Sequence, residues 1–255
     1  MNEITSCKNI SEPSFIQSYG CQVTDPKLIA CLLNDHFVTV GSKLASKFQT
    51  VCSALGKLLP SASKQNAQSN HFSFTPVSES FVFKQLKNLK TNKAIGLDKI
   101  SSRLLKDSAE SIAPVLTRLF NRSLDSRVFP AIWKQGKVTA LFKSGDKSDC
   151  NNYRPITVLP TVSKILERAV HQQLYGHLTE SNLLTTKQFG FRPKLSTEVA
   201  LAHFTDRVLE KLDIGMLTGA VFLDLSKAFD TVDHSLLLTK LKQIGASDNV
   251  TVWPL

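Results

Sequence analysis

The sequence predicts a mixed fold of amphipathic helices and short strands, for three reasons. Apolar residues recur every three or four positions in several stretches, which is typical of helices with one buried face. Residues 137–143 alternate between apolar and polar side chains, turn through Ser-Gly-Asp and return as a second strand over 152–159, which predicts a hairpin. Residues 220–225 are apolar apart from one aspartate, which predicts a strand covered on both faces. With 42% hydrophobic residues, the 255-residue chain has enough apolar side chains for a packed core.

The first part of the chain predicts one helix and a linker. Residues 24–48 carry apolar side chains at helical spacing and begin with Thr-Asp-Pro, which favours a helix start. Residues 60–76 are polar and poor in large apolar groups, as flexible linkers are. We therefore predict a helical connector region over 1–59 and a flexible linker over 60–78.

Further helices are predicted on both sides of the hairpin. Ser78 is suited to cap the first of them, in which Val82 and Leu86 lie on one side. The others are predicted over residues 102–109, 111–126, 160–178 and 196–212, with a last helix after Asp233. Side chains expected to face the core include Val115, Leu119, Phe120, Leu236 and Leu237.

Composition argues against several classes of protein. No uncharged apolar run is long enough to span a membrane, and the first ten residues lack the apolar core of a signal peptide. We therefore expect a soluble intracellular protein, nuclear or cytoplasmic, that is not secreted and has no membrane partner. The five cysteines include no Cys-x-x-Cys pair, so neither a disulfide framework nor a zinc site is indicated.

The net charge of +10 is concentrated in the middle of the chain. Residues 81–219 carry 22 Lys and Arg against 12 Asp and Glu, whereas residues 1–80 carry 6 against 5 and residues 220–255 carry 3 against 4. A basic segment of this kind suits contact with a phosphate backbone. A solubilising surface explains the charge alone equally well.

Asp224 is the first candidate functional residue, because it ends the apolar run. An ionised carboxylate is costly to bury there unless a cation or a hydrogen-bond donor meets it. A carboxylate that ends a buried strand is a site candidate, and metal-dependent phosphoryl transfer needs such a group. A helix cap or a turn former is the alternative interpretation.

Lys143 and Arg154 are candidates for binding phosphate. The hairpin brings them towards one locus from opposite strands, where Arg would bind as a fork and Lys as a point charge. Two solvated surface charges would fit the composition as well.

The run Gln-Phe-Gly-Phe-Arg-Pro over 188–193 is a further candidate. Aromatic and Arg side chains beside a flexible Gly are what a base-stacking or template-guiding loop needs. A local hydrophobic contact at the start of the next helix is the alternative.

Four stretches of the chain resemble motifs of one family. Residues 222–234, Phe-Leu-Asp-Leu-Ser-Lys-Ala-Phe-Asp-Thr-Val-Asp-His, resemble motif A of the reverse transcriptases of non-LTR (LINE-type) retrotransposons. Residues 92–100 resemble the entry motif of that family, with Ile95 where the family has Pro. The Lys-x-Gly-Asp and Asn-Tyr-Arg-Pro-Ile pair over 143–156 and the Gln-x-Gly-Phe-Arg loop also match, in the order of the family.

The resemblance implies a right-hand polymerase fold of the α+β type, with fingers over 79–219 and the start of a palm over 220–255. Implied partners are an RNA template, a DNA primer and a deoxynucleoside triphosphate, with Mg²⁺ as cofactor. The implied roles are catalysis by Asp224, metal contact by Asp224 and Leu225, nucleotide contact by Lys143, Arg154 and Phe229, and template contact by Gln188, Phe191 and Arg192. In the family, the aromatic residue at the position of Phe229 packs under the sugar and excludes a 2′-hydroxyl.

One feature of the family is missing. Two-metal transfer needs carboxylates from at least two strands, and the Tyr-x-Asp-Asp hairpin of the family has no counterpart in these 255 residues. We therefore expect a truncated polymerase that is inactive alone, with residues 216–255 loosely held and with self-association through an open strand at 220–225. A non-catalytic RNA- or DNA-binding module is the alternative. A phosphotransferase with Asp224 as nucleophile is disfavoured, because Ser226 stands where a second Asp is required.

Overall fold

A computed structural model describes residues 13–18, 20–55, 71–225 and 227–253. Within them the strands are β1 (Ile16–Ser18), β2 (Cys21–Val23), β3 (Lys137–Phe142) and β4 (Tyr153–Val158). The helices are α1 (Pro26–Leu55), α2 (Glu79–Lys87), α3 (Ser102–Asp107), α4 (Ala109–Ser126), α5 (Thr161–Glu180), α6 (Thr197–Asp213), α7 (His234–Gln243) and α8 (Asp248–Val252). The predicted mixture of helices and strands is confirmed, and so is the hairpin. The first helix is longer than predicted.

The chain divides into two compact units. One unit contains the residues up to Gln173 together with those from Phe229 onwards, and the other is Leu174–Ala228. The division does not follow the predicted domain boundaries after residues 59, 78 and 219, and those boundaries stay predictions. Among the described helices, none combines the length and apolar character needed to cross a membrane.

The main core of the first unit lies between α2, α4 and α5. Val82 and Leu86 of α2, Phe120 of α4 and Leu166 of α5 are fully buried in it. The predicted cap of α2 is confirmed, because the Ser78 hydroxyl accepts a hydrogen bond from the backbone N–H of Phe81 at 3.2 Å. Apolar spacing on α2 therefore predicted its packed face correctly.

On α4, two inward predictions are wrong. Val115 is 64% exposed and Leu119 is 42% exposed, whereas Phe120 is buried as predicted. The buried side of this helix follows Ala109, Ala113, Phe120 and Leu124, which are four or seven residues apart. At 3.6 residues per turn, Val115 and Leu119 lie away from that line.

The end of the predicted linker lies among the described residues. Residues 56–70 lie outside the described residues, but Phe72 and Val77 are buried. The Phe72 N–H donates to the Gly245 carbonyl at 2.8 Å, and the Ser247 N–H donates to the Phe72 carbonyl at 2.9 Å. Because its backbone is paired and its side chain is in the core, the stretch around Phe72 is a structural element.

Trp253 follows α8 and is 6% exposed, in the main core. Its ring meets those of Phe74 and Phe129 edge-on at centroid distances of 5.7 and 5.0 Å. Its indole N–H donates to the Ser123 hydroxyl at 3.1 Å. The expectation that all of residues 216–255 are loosely held is therefore wrong for the end of that range, because aromatic side chains far earlier in the chain pack on it.

The last long helix, α7, begins as predicted but does not pack as predicted. The Asp233 carboxylate accepts hydrogen bonds from the N–H groups of Ser235 and Leu236 at 2.8 and 3.1 Å. The Ser235 hydroxyl and these N–H groups lower the pKa of Asp233. Leu236 and Leu237 are 60% and 45% exposed, so the inward prediction for both is wrong. The described residues supply no surface that buries this side of α7.

Candidate nucleotide and nucleic-acid site

The β3–β4 hairpin places the two predicted phosphate-binding cations on one face. Arg154 lies opposite Leu141 in the antiparallel register, and the Lys143 N–H donates to the Asn152 carbonyl at 2.8 Å. Lys143 is two residues beyond Leu141, so it shares the face of Arg154 as a diagonal neighbour. Diagonal neighbours are roughly 7–8 Å apart, which long side chains span easily. The backbone register therefore brings Lys143 and Arg154 towards one locus from opposite strands, as predicted.

Both cations are exposed and unneutralised within the described part of the chain. Neither side chain has a carboxylate within 4.0 Å or a hydrogen-bond partner there. Leu141 and Ile156, on the same face, are 39% and 47% exposed. The face thus offers two positive charges beside apolar side chains, an arrangement that suits an anionic ligand with a ring or sugar attached.

The turn that joins the two strands is fixed by hydrogen bonds. Gly145 has φ +95°, and a Cβ there would lie 2.8 Å from the amide nitrogen of Asn152. That amide group donates to the Asp146 carbonyl at 2.9 Å. The Asp146 carboxylate accepts from the Ser148 N–H at 2.8 Å, and this bond together with the Ser148 hydroxyl lowers the pKa of Asp146. Gly145 is therefore required by both its backbone angle and the close side chain.

The other face of the hairpin is buried against the N-terminal elements. Tyr153 is 3% exposed and packs with Ile16 of β1 and with Ile29 and Leu33 of α1. The Tyr153 hydroxyl donates to the Lys147 carbonyl at 2.7 Å, and burial raises the pKa of Tyr153. The face that carries Lys143 and Arg154 is thus supported from behind by residues more than a hundred positions earlier.

Asp224 and Leu225 lie in the second unit, and the strand predicted for them is not formed. Residues 220–225 have no regular secondary structure, and Leu225 is 75% exposed. Both sheets in the described residues are two-stranded hairpins that exclude this segment. An apolar run becomes a strand only when another backbone satisfies its N–H and C=O groups, and none of the described strands does so. Residues 220–225 therefore present no open strand edge through which the expected self-association could occur. The apolar side chains of this segment are exposed.

The described residues do not form a metal site. Nowhere among them do three His, Cys, Asp or Glu side chains lie close enough together to hold an ion. Asp224 is exposed to solvent. A two-metal centre needs several carboxylate oxygens fixed together. The arrangement at Asp224 does not fit Mg²⁺.

Phe229 lies in a turn of the first unit, the unit that also contains the hairpin. Its carbonyl accepts a hydrogen bond from the Val232 N–H at 3.5 Å, and its side chain is 76% exposed. The next residue, Asp230, lies so close to α1 that a Cβ at Gly41 would overlap the Asp230 carbonyl oxygen. The ring is therefore displayed on a turn whose backbone is packed against a helix.

The predicted template loop is closed by two of its own side chains. The Gln188 amide donates to the Gly190 carbonyl at 3.1 Å, and the Arg192 guanidinium donates to the Thr185 carbonyl at 3.1 Å. Phe191, between them, is 86% exposed and has φ +58°, a left-handed conformation that is unusual for an aromatic residue. Gln188 and Arg192 thus hold the loop, and Phe191 is its displayed side chain. Template contact by these three residues stays a prediction.

Comparison with known proteins identifies the class. Residues 143–254 match the reverse transcriptase (RNA-dependent DNA polymerase) family. This segment begins at Lys143 and includes Arg154, the Gln188 loop, Asp224 and Phe229. The chain thus carries a segment of a reverse transcriptase.

Three relatives identify the kind of reverse transcriptase. The chain is 31% identical over 170 residues, or 66% of its length, to a probable RNA-directed DNA polymerase from transposon BS of Drosophila melanogaster. It is 31% identical over 61% of its length to the RNA-directed DNA polymerase from mobile element jockey of the same organism. It is 33% identical over 63% to a putative 115 kDa protein in the type-1 retrotransposable element R1DM. The chain belongs to the reverse transcriptases of non-LTR, LINE-type retrotransposons, as its motifs indicated.

The matched regions are a small part of those relatives. They correspond to 19% of the transposon BS protein, 17% of the jockey protein and 15% of the R1DM protein.

Proposed function

We propose that this chain forms the nucleotide- and template-holding portion of an RNA-directed DNA polymerase, comprising fingers and the start of a palm. The observation that carries the proposal is the shared face of Lys143 and Arg154, two exposed cations at diagonal positions of a fixed hairpin. A triphosphate would lie across this face, with the Arg154 guanidinium binding two oxygens and Lys143 a third. Phe229 would pack against the sugar of the same deoxynucleotide.

The intact family performs two-metal nucleotidyl transfer, in which bound Mg²⁺ would make the attacking hydroxyl more acidic and neutralise charge on the phosphates. In this chain we assign to its own residues the binding and orientation of the nucleotide and of the RNA template and DNA primer. Positioning and charge neutralisation are the main contributions a protein makes to phosphoryl transfer. Asp224 is the residue that would join the metal site of an intact enzyme.

We expect the 255-residue chain to extend no primer on an RNA template with Mg²⁺ or Mn²⁺, because the described residues assemble no metal site. Incorporation of labelled deoxynucleotide, with Asp224→Asn as the matched variant, measures this. Template-dependent extension that disappears in Asp224→Asn would show that the chain completes a catalytic centre, contrary to this expectation.

A non-catalytic RNA- or DNA-binding module is the second candidate function. It is suggested by two observations taken together. The excess of ten positive charges lies within residues 81–219, and the exposed Phe191 ring projects from a closed loop in that range. Proteins that bind single strands usually combine basic side chains along the phosphate backbone with aromatic rings that stack on the bases.

Phe191 allows binding and stability to be separated. Phe191→Gly should stabilise the fold by about 0.5–1 kcal/mol, because glycine adopts a positive φ without strain. The same change should weaken binding of a single-stranded RNA oligonucleotide about fivefold or more, because one stacking ring is lost. Thermal unfolding and fluorescence anisotropy measure the two effects.

The control is Phe191→Ala, which removes the ring and keeps the strained backbone. It should bind RNA as weakly as Phe191→Gly without the gain in stability. If both variants bind RNA as the unmodified chain does, Phe191 is not a stacking residue.

A further inference from the structure

The helix α1 contacts two parts of the proposed nucleotide site that are far apart in sequence. Its first half packs behind the hairpin, where Ile29 and Leu33 bury Tyr153. Further along the same helix, Gly41 lies against the backbone of Asp230, beside Phe229. All of these residues belong to the first unit. One continuous helix therefore touches both the element that carries the cations and the turn that carries the aromatic ring.

The contact at Gly41 depends on the absence of a side chain. A Cβ at this position would overlap the Asp230 carbonyl oxygen and would lie 3.3 Å from the Asp230 carbonyl carbon. Backbone atoms cannot swing away as the end of a flexible side chain can. The contact is therefore a fixed one, and it costs α1 the helix propensity that an alanine would contribute.

The helix also fixes a distance. Leu33 and Gly41 are eight residues apart, which corresponds to roughly 12 Å along the axis of an α-helix. A nucleoside triphosphate has to reach from the hairpin cations to the Phe229 ring if it is bound as proposed. Because α1 contacts both the hairpin and the turn that carries Phe229, it holds constant the distance between the hairpin cations and the Phe229 ring.

We propose that α1 sets the position of Phe229 relative to Lys143 and Arg154, with Gly41 as the positioning residue. The inference rests on the proposed function, in which the hairpin cations and Phe229 bind the same nucleotide. Gly41 and α1 lie outside the segment 143–254 that matches the reverse transcriptase family. Gly41 acts through the Asp230 backbone and touches no nucleotide itself.

The test compares three variants of the full chain. Gly41→Ala adds a methyl group at the contact. Gly176→Ala makes the same change within α5, where a Cβ would meet nothing within 4 Å. Asp25→Ala removes the side chain that caps α1, where the carboxylate accepts a hydrogen bond from the Leu28 N–H at 2.9 Å. This last variant weakens α1 without adding an atom at the contact.

Two quantities are measured with Mg²⁺ present: the ratio of the affinities for dATP and ATP, and the amide hydrogen exchange of residues 228–232. Gly41→Ala should lower the ratio about tenfold, because even a small displacement of Phe229 weakens discrimination between the two sugars. It should also accelerate amide exchange in this turn. Gly176→Ala and Asp25→Ala should leave the ratio unchanged, although Asp25→Ala lowers the melting temperature.

The outcomes separate the inference from the proposed function. If the unmodified chain binds neither nucleotide, or binds dATP and ATP equally, the assigned role of the nucleotide site fails and this inference fails with it. If the unmodified chain prefers dATP and Gly41→Ala keeps that preference with unchanged exchange in the turn, the nucleotide site stands and the positioning role of Gly41 is overturned. If Asp25→Ala loses as much preference for dATP as Gly41→Ala does, the positioning role of Gly41 is also overturned. General weakening of α1 would then explain the loss.

Discussion

Trp253→Ala is expected to destabilise the first unit by about 3–5 kcal/mol, the range found when a large aromatic side chain is deleted from a packed core. The indole is 6% exposed and lies against the rings of Phe74 and Phe129. Its removal leaves a cavity and also leaves the buried Ser123 hydroxyl without its donor. Denaturant unfolding followed by far-ultraviolet circular dichroism measures the loss.

Val252→Ala is the matched control, because Val252 is adjacent and 44% exposed. Its effect should stay within about 1 kcal/mol, as for most partly exposed positions. Trp253→Phe should fall between the two, since it keeps most of the buried ring and loses the N–H group. Equal stability of Trp253→Ala and Val252→Ala would mean that the C-terminal residues are not part of the core.

Removing both hairpin cations should abolish most of the affinity for a triphosphate. Each charge-assisted hydrogen bond contributes about 1.5–3 kcal/mol, so Lys143→Ala and Arg154→Ala should each weaken binding roughly tenfold and the double variant roughly a hundredfold. Calorimetric titration with inorganic triphosphate at low ionic strength measures this without any contribution from the base or the sugar.

The control for this pair is Lys137→Ala. Lys137 is an exposed cation at the opposite end of β3, on the same face as Lys143 because the two are six residues apart. Its removal changes the net charge of the hairpin by the same amount as either single variant. If Lys137→Ala weakens triphosphate binding as much as Lys143→Ala, the affinity comes from general positive charge and not from a site.

The hairpin was predictable because everything that defines it is local. Alternating side chains set the strand, and the Ser-Gly-Asp sequence set the turn, so the register that joins Leu141 and Arg154 follows from a few neighbouring residues. The face shared by Lys143 and Arg154 then follows from the two-residue period of a strand. Ser78 and Asp233 were recognisable as helix caps for the same reason, since the cap and its N–H partners are adjacent in sequence.

The support of the hairpin could not be predicted, because it joins residues distant in sequence. Nothing near Tyr153 signals that Ile16 and Ile29 will bury it, although a tyrosine among apolar residues in a strand could have been named as a core candidate. The close approach of Gly41 to Asp230 likewise leaves no local pattern, since a glycine within a helical stretch has many explanations.

The wrong prediction for residues 220–225 has a clear physical cause. Apolar side chains on both faces indicate that a segment is suited to burial, but a strand also needs a neighbouring backbone, which no local pattern supplies. Phe222 is 84% exposed, and its ring lies 6.0 Å from that of Phe204. Asp224 is consequently exposed, and within the described part of the chain it belongs to no group of three or more side chains that could hold a metal ion.

Photolabelling with dATP that carries an arylazide on its γ-phosphate tests directly whether the β3–β4 hairpin binds the triphosphate. If Lys143 and Arg154 bind the triphosphate, the adduct should map by peptide mass spectrometry to residues 137–158. It should be suppressed by excess dATP and should be lost in the Lys143→Ala/Arg154→Ala double variant. Labelling that is spread over other lysines of residues 81–219, or that persists in the double variant, would contradict the claim that this hairpin holds the nucleotide.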